Sequence, residues 1–85
     1  DVYKRQTQHI FFRQWEPGHF IDWHPAPRRQ FIISISGIVE VGLEDGSTHR
    51  FMPGDARLVE DTTGKGHTTL VPGDEPIITA VIPLA

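Results

Sequence analysis

The chain has 85 residues, enough for one small domain, and its 11 acidic and 8 basic residues give a net charge of −3. This balance argues against nucleic acid as the main partner, because binding phosphates requires a basic face. There is no cysteine, which excludes disulfides and thiolate metal sites. No apolar run approaches the roughly 20 residues that span a bilayer, and the start DVYKRQTQ is polar, unlike a signal peptide. We therefore expect a cytoplasmic protein with no membrane partner.

Seven prolines and eight glycines are spread along the chain and exclude long helices almost everywhere. Short β-branched and aromatic runs recur between them, which predicts an all-β domain over residues 8–85, preceded by a flexible or non-native tail over 1–7. Asp45-Gly46 favours the tight turn that closes a hairpin, and FMPGD and VPGDEP are typical of further turns. The predicted strands are Gln8–Trp15, His19–His24, Gln30–Ser36, Ile38–Leu43, Thr48–Met52, Ala56–Glu60, His67–Val71 and Pro76–Ile82.

The third predicted strand alternates between a wholly apolar face and a mixed face. The apolar set is Phe31, Ile33 and Ile35, and the mixed set is Gln30, Ile32 and Ser34. In a small barrel the mixed face would line a cavity and the apolar face would meet another layer or subunit. In a sandwich Gln30 would only be the polar end of a strand, and the strand pattern does not separate the two. The apolar face of so short a chain predicts a homodimer.

Two of the five histidines, His24 and His67, stand where a strand meets a loop rich in proline or glycine, which is where scaffolds present functional groups. The alternative is two unrelated polar strand ends. His9, His19 and His49 have no second candidate ligand nearby and are predicted to be surface residues.

The loop before the third strand is stiffened by two prolines and carries Arg28 and Arg29. A restrained guanidinium suits a carboxylate or phosphate, although the pair could instead be solvated and bind Glu60 or Asp61. Neighbouring residues of an extended chain face opposite ways, so at most one arginine should reach a cavity. The pattern does not decide which, although Arg28 shares the parity of His24.

A second dense stretch, EDTTGKGH, brings together Asp61, Lys65 and His67 as a candidate acid, cation and base. The alternative is a loop whose threonines bond to the backbone in turns. It is not a phosphate-binding loop, because Val59 stands where that pattern needs glycine and glycine follows Lys65. The absence of a Gly-x-Ser-x-Gly motif and of cysteine argues against covalent acyl chemistry.

Taken together these stretches resemble the cupin family, small β-barrels (double-stranded β-helix or jelly roll) of two antiparallel sheets. The first cupin motif is Gly, five residues, His-x-His, three or four residues, Glu, six residues, Gly. Here it reads Gly18, His24, Ala26, Gln30 and Gly37 with no gap. A second motif starts at Gly54-Asp55 and leads to a third histidine. Strict spacing places this ligand at Lys65, and a loop two residues longer places it at His67, which we favour because it begins a strand.

The resemblance implies a metal site with three imidazoles and a carboxylate, but this chain offers His24, His67 and the neutral Gln30, with Ala26 in place of an imidazole. It predicts either one weakly bound divalent ion (zinc, iron, manganese or nickel) or none.

Three functions remain open. The first is an enzyme, isomerase, dehydratase or lyase in type, doing acid–base chemistry on a small anionic or oxygenated metabolite. His24 and His67 would be catalytic, and Arg28, Gln30, Asp61 and Lys65 would bind the substrate. The second is a metal-dependent, oxygenase-like cupin that uses His24, Gln30 and His67. The third is a non-catalytic module that binds or senses a small ligand.

Overall fold

A computed structural model describes residues 9–84. All eight predicted strands are present there, most of them shorter than predicted by a residue or two at an end. The predicted tail and the domain boundary at residue 8 lie outside the described residues. The strands are β1 (Phe11–Trp15), β2 (Phe20–His24), β3 (Gln30–Ser36), β4 (Val39–Gly42), β5 (Thr48–Phe51), β6 (Ala56–Val59), β7 (His67–Leu70) and β8 (Ile77–Pro83).

The strands form two four-stranded antiparallel sheets, with the orders β1-β8-β3-β6 and β2-β7-β4-β5. Strands that follow one another in the chain mostly lie in different sheets, and only the hairpin of β4 and β5 joins neighbours directly. This is the predicted jelly roll. Across residues 9–84 there is no helix, so no described segment is a helix that could cross a membrane.

The hydrophobic core lies between the sheets and is small. Val39, Val71 and Ile77 are almost fully buried, and Trp15 and Phe51 pack against them.

The alternation predicted for β3 is confirmed by burial. Gln30, Ile32 and Ser34 are buried between the sheets, whereas Phe31 and Ile35 are 39% and 46% exposed on the outer face. Phe31 lies between Ile82 of β8 and Leu58 of β6 in the register of the sheet. The outer face of this sheet is therefore apolar across at least three strands.

The homodimer stays a prediction, and the outer face specifies its test. If a second copy covers that face, light scattering at micromolar concentration should give the mass of a dimer. Phe31→Lys should shift the mass to that of a monomer, because it places a charge at the centre of the apolar face. Phe20→Lys is the matched control, since Phe20 is also exposed but lies in the other sheet. A monomeric parent chain, or an equal effect of both variants, would contradict the prediction.

Candidate functional site

His24 and His67 lie opposite each other although 42 residues separate them in the chain. β2 and β7 are neighbours in one sheet, and their antiparallel register pairs His24 with His67 after an irregularity that follows Ile21. Residues paired in this way have side chains on the same face. The two ring centroids are 4.5 Å apart, with the planes tilted by 59°. The sheet thus brings both imidazoles into one site.

In each histidine the Nδ1 atom is already engaged. That of His24 lies 2.8 Å from the backbone oxygen of Asp22, and that of His67 lies 2.6 Å from Oδ2 of Asp61. A carbonyl oxygen only accepts hydrogen bonds, so Nδ1 of His24 carries a hydrogen and donates it. The Asp61 carboxylate likewise accepts from Nδ1 of His67. Both histidines are left with Nε2 available for chemistry.

The loops around the histidines are fixed by backbone contacts. The amide of Ala26 donates to the backbone oxygen of Asp61 at 2.9 Å, which ties the loop after β2 to the loop before β7. Gly66 has a φ of +77°, and its α-carbon lies against the peptide that joins His24 to Pro25. Only glycine allows this approach, because a side chain would overlap the carbonyl oxygen of His24.

The two histidines line a cavity of about 170 Å³ between the sheets. Both sheets and the loop after β2 contribute to its wall. Its twelve lining residues are Arg13, Trp15, Gln30, Ile32, Arg57 and Val59 from the first sheet, and Ile21, His24, Ala26, Pro27, His67 and Thr69 from the second sheet and the loop. None of the twelve is acidic, so the cavity is bordered by two arginines without a carboxylate.

A larger cleft of about 420 Å³ adjoins this cavity and shares Arg57, Val59 and His67 with it. The residues that line the cleft include apolar side chains and the carboxylates of Glu44, Glu60 and Asp61. Asp61 also accepts the hydrogen bond from Nδ1 of His67.

The predicted site residues fall into two groups. His24, His67 and Gln30 line the interior cavity, and Asp61 binds His67. Lys65 lies outside it, with its Nζ 4.8 Å from the centre of the exposed Trp23 ring. Hence His67, and not Lys65, faces His24.

The two arginines of the proline-stiffened loop also lie outside the cavity. Arg28 is exposed, and Arg29 binds Glu60 at 3.0 Å with both side chains about half exposed. This is the solvated ion pair that was the alternative for Arg29.

Sequence reasoning missed the arginines that do line the cavity, Arg13 and Arg57. A signal for each was present in the strand alternation. Arg13 has the parity of Phe11 and Trp15, and Arg57 has the parity of Val59, so both belong to an inward face. Neither arginine was predicted to line the cavity, because arginine is seldom buried without a partner.

The residues of this cavity do not fit the divalent ion that the fold implies. The available donors are the imidazoles of His24 and His67 and the amide of Gln30, with no anionic ligand, and Arg13 and Arg57 line the same space. A divalent cation would be repelled there by two guanidinium groups. Within residues 9–84 no group of three or more histidine, aspartate or glutamate side chains is arranged to hold a metal.

No family model matches the chain, and no curated protein matches it. Solved structures do match. A protein of uncharacterised function with a double-stranded β-helix domain from Klebsiella pneumoniae is 25% identical, with a TM-score of 0.69, over 88% of this chain and 64% of that one. A sugar phosphate isomerase of the cupin superfamily from Silicibacter pomeroyi is 19% identical, with a TM-score of 0.69, over 89% of this chain and 49% of that one.

The polyketide cyclase RemF from Streptomyces resistomycificus is 17% identical, with a TM-score of 0.72, over 88% of this chain and 52% of that one. The chain spans 64% or less of the length of these three proteins. The fold and these likenesses define the class: this is a cupin-fold domain, as the motif spacing predicted. Two of the three similar proteins are enzymes, and at such identities the likeness establishes the fold and leaves the reaction open.

Proposed function

We propose that this cupin is an enzyme that carries out acid–base chemistry, of isomerase, dehydratase or lyase type, on a small oxygenated metabolite bound between its sheets. The observation that carries the proposal is the pair of imidazoles in one cavity, each with Nδ1 engaged and Nε2 available. Proton transfer by a positioned imidazole contributes about 10²–10⁴-fold to a rate.

The two histidines are suited to different parts of such a reaction. His67 is the general base in this proposal, because the Asp61 carboxylate orients the ring and stabilises the imidazolium that forms when Nε2 takes a proton. His24 has a backbone carbonyl in place of a carboxylate as its partner. When it is protonated, His24 donates the proton on its Nε2 atom to a substrate atom next to the one that lost a proton to His67.

The cavity supports this chemistry by restricting water. The His67 side chain is 12% exposed, and apolar residues such as Ile21, Ile32 and Val59 fill much of the wall. Such surroundings strengthen the electrostatic interactions of the histidines with a bound substrate.

The test is solvent exchange followed by proton NMR. The protein is incubated in D₂O with a panel of small hydroxy acids, keto acids and sugar phosphates, and loss of C–H signals or formation of product is recorded. We expect turnover of at least one compound, and a loss of about 100-fold or more in His67→Ala and in His24→Ala. Asp61→Asn should lose activity as well, because an amide can hold His67 in the tautomer whose Nε2 carries the hydrogen.

His9→Ala is the control, since His9 is exposed and does not line the cavity. Treatment of the protein with EDTA should leave the rate unchanged. Activity that survives both alanine substitutions would overturn the proposal, and so would activity restored by added zinc or iron alone. A compound that binds and is recovered unaltered would instead favour the non-catalytic module.

A further inference from the structure

The charge of the interior cavity points to the chemistry of its ligand. Two of its twelve lining residues are arginines and none is acidic, although the chain as a whole has a net charge of −3. The carboxylate of Asp61 is hydrogen-bonded to His67 and belongs to the neighbouring cleft. A cavity bordered in this way attracts an anion.

Arg57 is the main source of this charge. It lies on β6 opposite Ile32, and its guanidinium carbon is 4.7 Å from the centre of the Phe51 ring. Its Nε and Nη1 atoms are buried and have no hydrogen-bond partner anywhere in residues 9–84. Buried donors of a charged group are almost always satisfied in proteins, because leaving them unpaired is costly. Two unused donors on a buried cation therefore indicate a site for an acceptor from outside the chain.

The surroundings of Arg57 leave it charged at neutral pH. Burial, and then the charge of Arg13, lower its pKa to about 10, while Asp61 opposes that change. The exposed Arg29, with Glu60 as its partner, shows how an arginine of this chain is satisfied when it serves the surface. Arg57, by contrast, is buried, and its Nε and Nη1 atoms have no partner among the described residues.

Arg13 provides a second cation on the same cavity. Its guanidinium carbon is 5.3 Å from the centre of the Trp15 ring, and burial, followed by the charge of Arg28, lowers its pKa. The charge of Arg13 lowers the pKa of Arg57, and an anion between the two groups would stabilise the charged form of both.

Gln30 adds an acceptor that chloride or an unsubstituted carboxylate would leave unpaired. It is 3% exposed, and its Oε1 atom is buried without a partner among the described residues. Gln30 pairs with Val59 in the sheet, and Arg57 is two residues from Val59 on the same strand and face. Such diagonal positions are about 7–8 Å apart between α-carbons, which is within the span of a molecule of a few carbon atoms. A ligand on Arg57 can therefore place a hydroxyl group where Oε1 accepts its hydrogen bond.

We propose that this cavity binds a small hydroxycarboxylic acid, with its carboxylate on Arg57 and Arg13 and its hydroxyl group on Oε1 of Gln30. The inference rests on the proposed function, because it names the substrate class for the same cavity. The volume of about 170 Å³ suits an acid of few carbons, since drug-sized ligands occupy pockets of about 300–1,000 Å³. The apolar side chains of the wall contact its carbon atoms.

The experiment measures binding and needs no turnover. The 85-residue chain is titrated with sodium lactate, propionate, lactamide and inorganic phosphate, and dissociation constants are taken from NMR chemical shifts. We expect lactate to bind best, propionate about 10-fold more weakly because it lacks the hydroxyl group, and lactamide not at all because it lacks the charge. Arg57→Met should weaken lactate binding about 100-fold, and Arg57→Lys, which keeps the charge without the planar fork, about 10-fold.

Two further variants make the result specific. Gln30→Leu should abolish the preference for lactate over propionate, and Arg29→Met, at the exposed ion pair, should leave every constant unchanged. Spectral dispersion of each variant verifies its fold. Equal binding of phosphate and lactate would overturn the inference, as would unchanged lactate binding in Arg57→Met. Lactate binding without any turnover would support this inference and count against the proposed enzymatic function. Turnover that is lost in the histidine variants but kept in Arg57→Met would support the enzymatic function and count against this inference.

Discussion

Arg57→Met should make the ligand-free protein more stable, by about 1–2 kcal/mol at pH 7. Burial lowers the pKa of Arg57 from its ordinary value to about 10, and at about 1.4 kcal/mol per pKa unit this corresponds to roughly 3 kcal/mol of unfavourable free energy in the folded state. Methionine has a similar length and no donors to satisfy. It loses the contact between the guanidinium and Phe51, which offsets about 1 kcal/mol of the gain.

The pH dependence of this gain has a defined sign. A basic group whose pKa is lower in the folded state destabilises the fold wherever both states are protonated, which here means below about pH 10. As the pH rises above that value, the folded state releases its proton before the unfolded state does, and the destabilisation diminishes. The gap between Arg57→Met and the parent chain should therefore be full at pH 7 and narrower at pH 10.5.

Urea denaturation at the two pH values measures the gap. Arg29→Met is the control, and its change should stay within about 0.5 kcal/mol because the ion pair with Glu60 is exposed. A loss of stability of 1 kcal/mol or more in Arg57→Met would show that Arg57 supports the fold and is not held there for a ligand. A gain, together with lost anion binding, would be the expected exchange of stability for function.

Gly66→Ala should destabilise the protein by about 3 kcal/mol or more and disturb the histidine pair. Two terms add up at this position. The φ of +77° disfavours any residue with a β-carbon, which costs about 1–2 kcal/mol. The added carbon would also overlap the carbonyl group of His24 and lie 2.6 Å from the α-carbon of Pro25, so the backbone of one loop must move.

Gly64→Ala separates these two terms. Gly64 is in the same loop with a φ of +76°, and a β-carbon there would have no atom within 4 Å. Its loss of stability should be about 1–2 kcal/mol, the cost of the backbone conformation alone. Thermal unfolding of both variants and NMR signals of the His24 and His67 rings provide the measurement. Equal losses in the two variants would refute the close approach of Gly66 to the loop after β2.

Most of the fold could be predicted from the sequence, because its turns and its alternation are local signals. Proline and glycine mark the joints, and the period of two in β3 gives the correct inward face. The facing of His24 and His67 is different in kind. It depends on which strands become neighbours, which local pattern does not encode, and it entered only through the cupin resemblance. Loop residues such as Lys65 could not be oriented, because a loop has no period.

The residues that line the cavity differ from the predicted site residues mainly in which arginines they include. The sequence favours the arginines of the proline-rich loop as site residues because other polar residues surround them, whereas Arg57 and Arg13 stand among apolar residues. Alternation placed both on inward faces. That placement puts a cation inside the protein, and two donor atoms of Arg57 have no hydrogen-bond partner among residues 9–84.

The small hydrophobic core also supports the two arginines that we propose as ligand-binding groups. Trp15 and Phe51 pack against Val39, Val71 and Ile77, and the same two rings lie beside the guanidinium groups of Arg13 and Arg57. A smaller side chain at Val39, Val71 or Ile77 should loosen the packing of these two rings and so the position of the guanidinium groups beside them. Because the same two rings belong to the core and lie beside the arginines of the proposed site, we expect core substitutions to change thermal stability and anion affinity together.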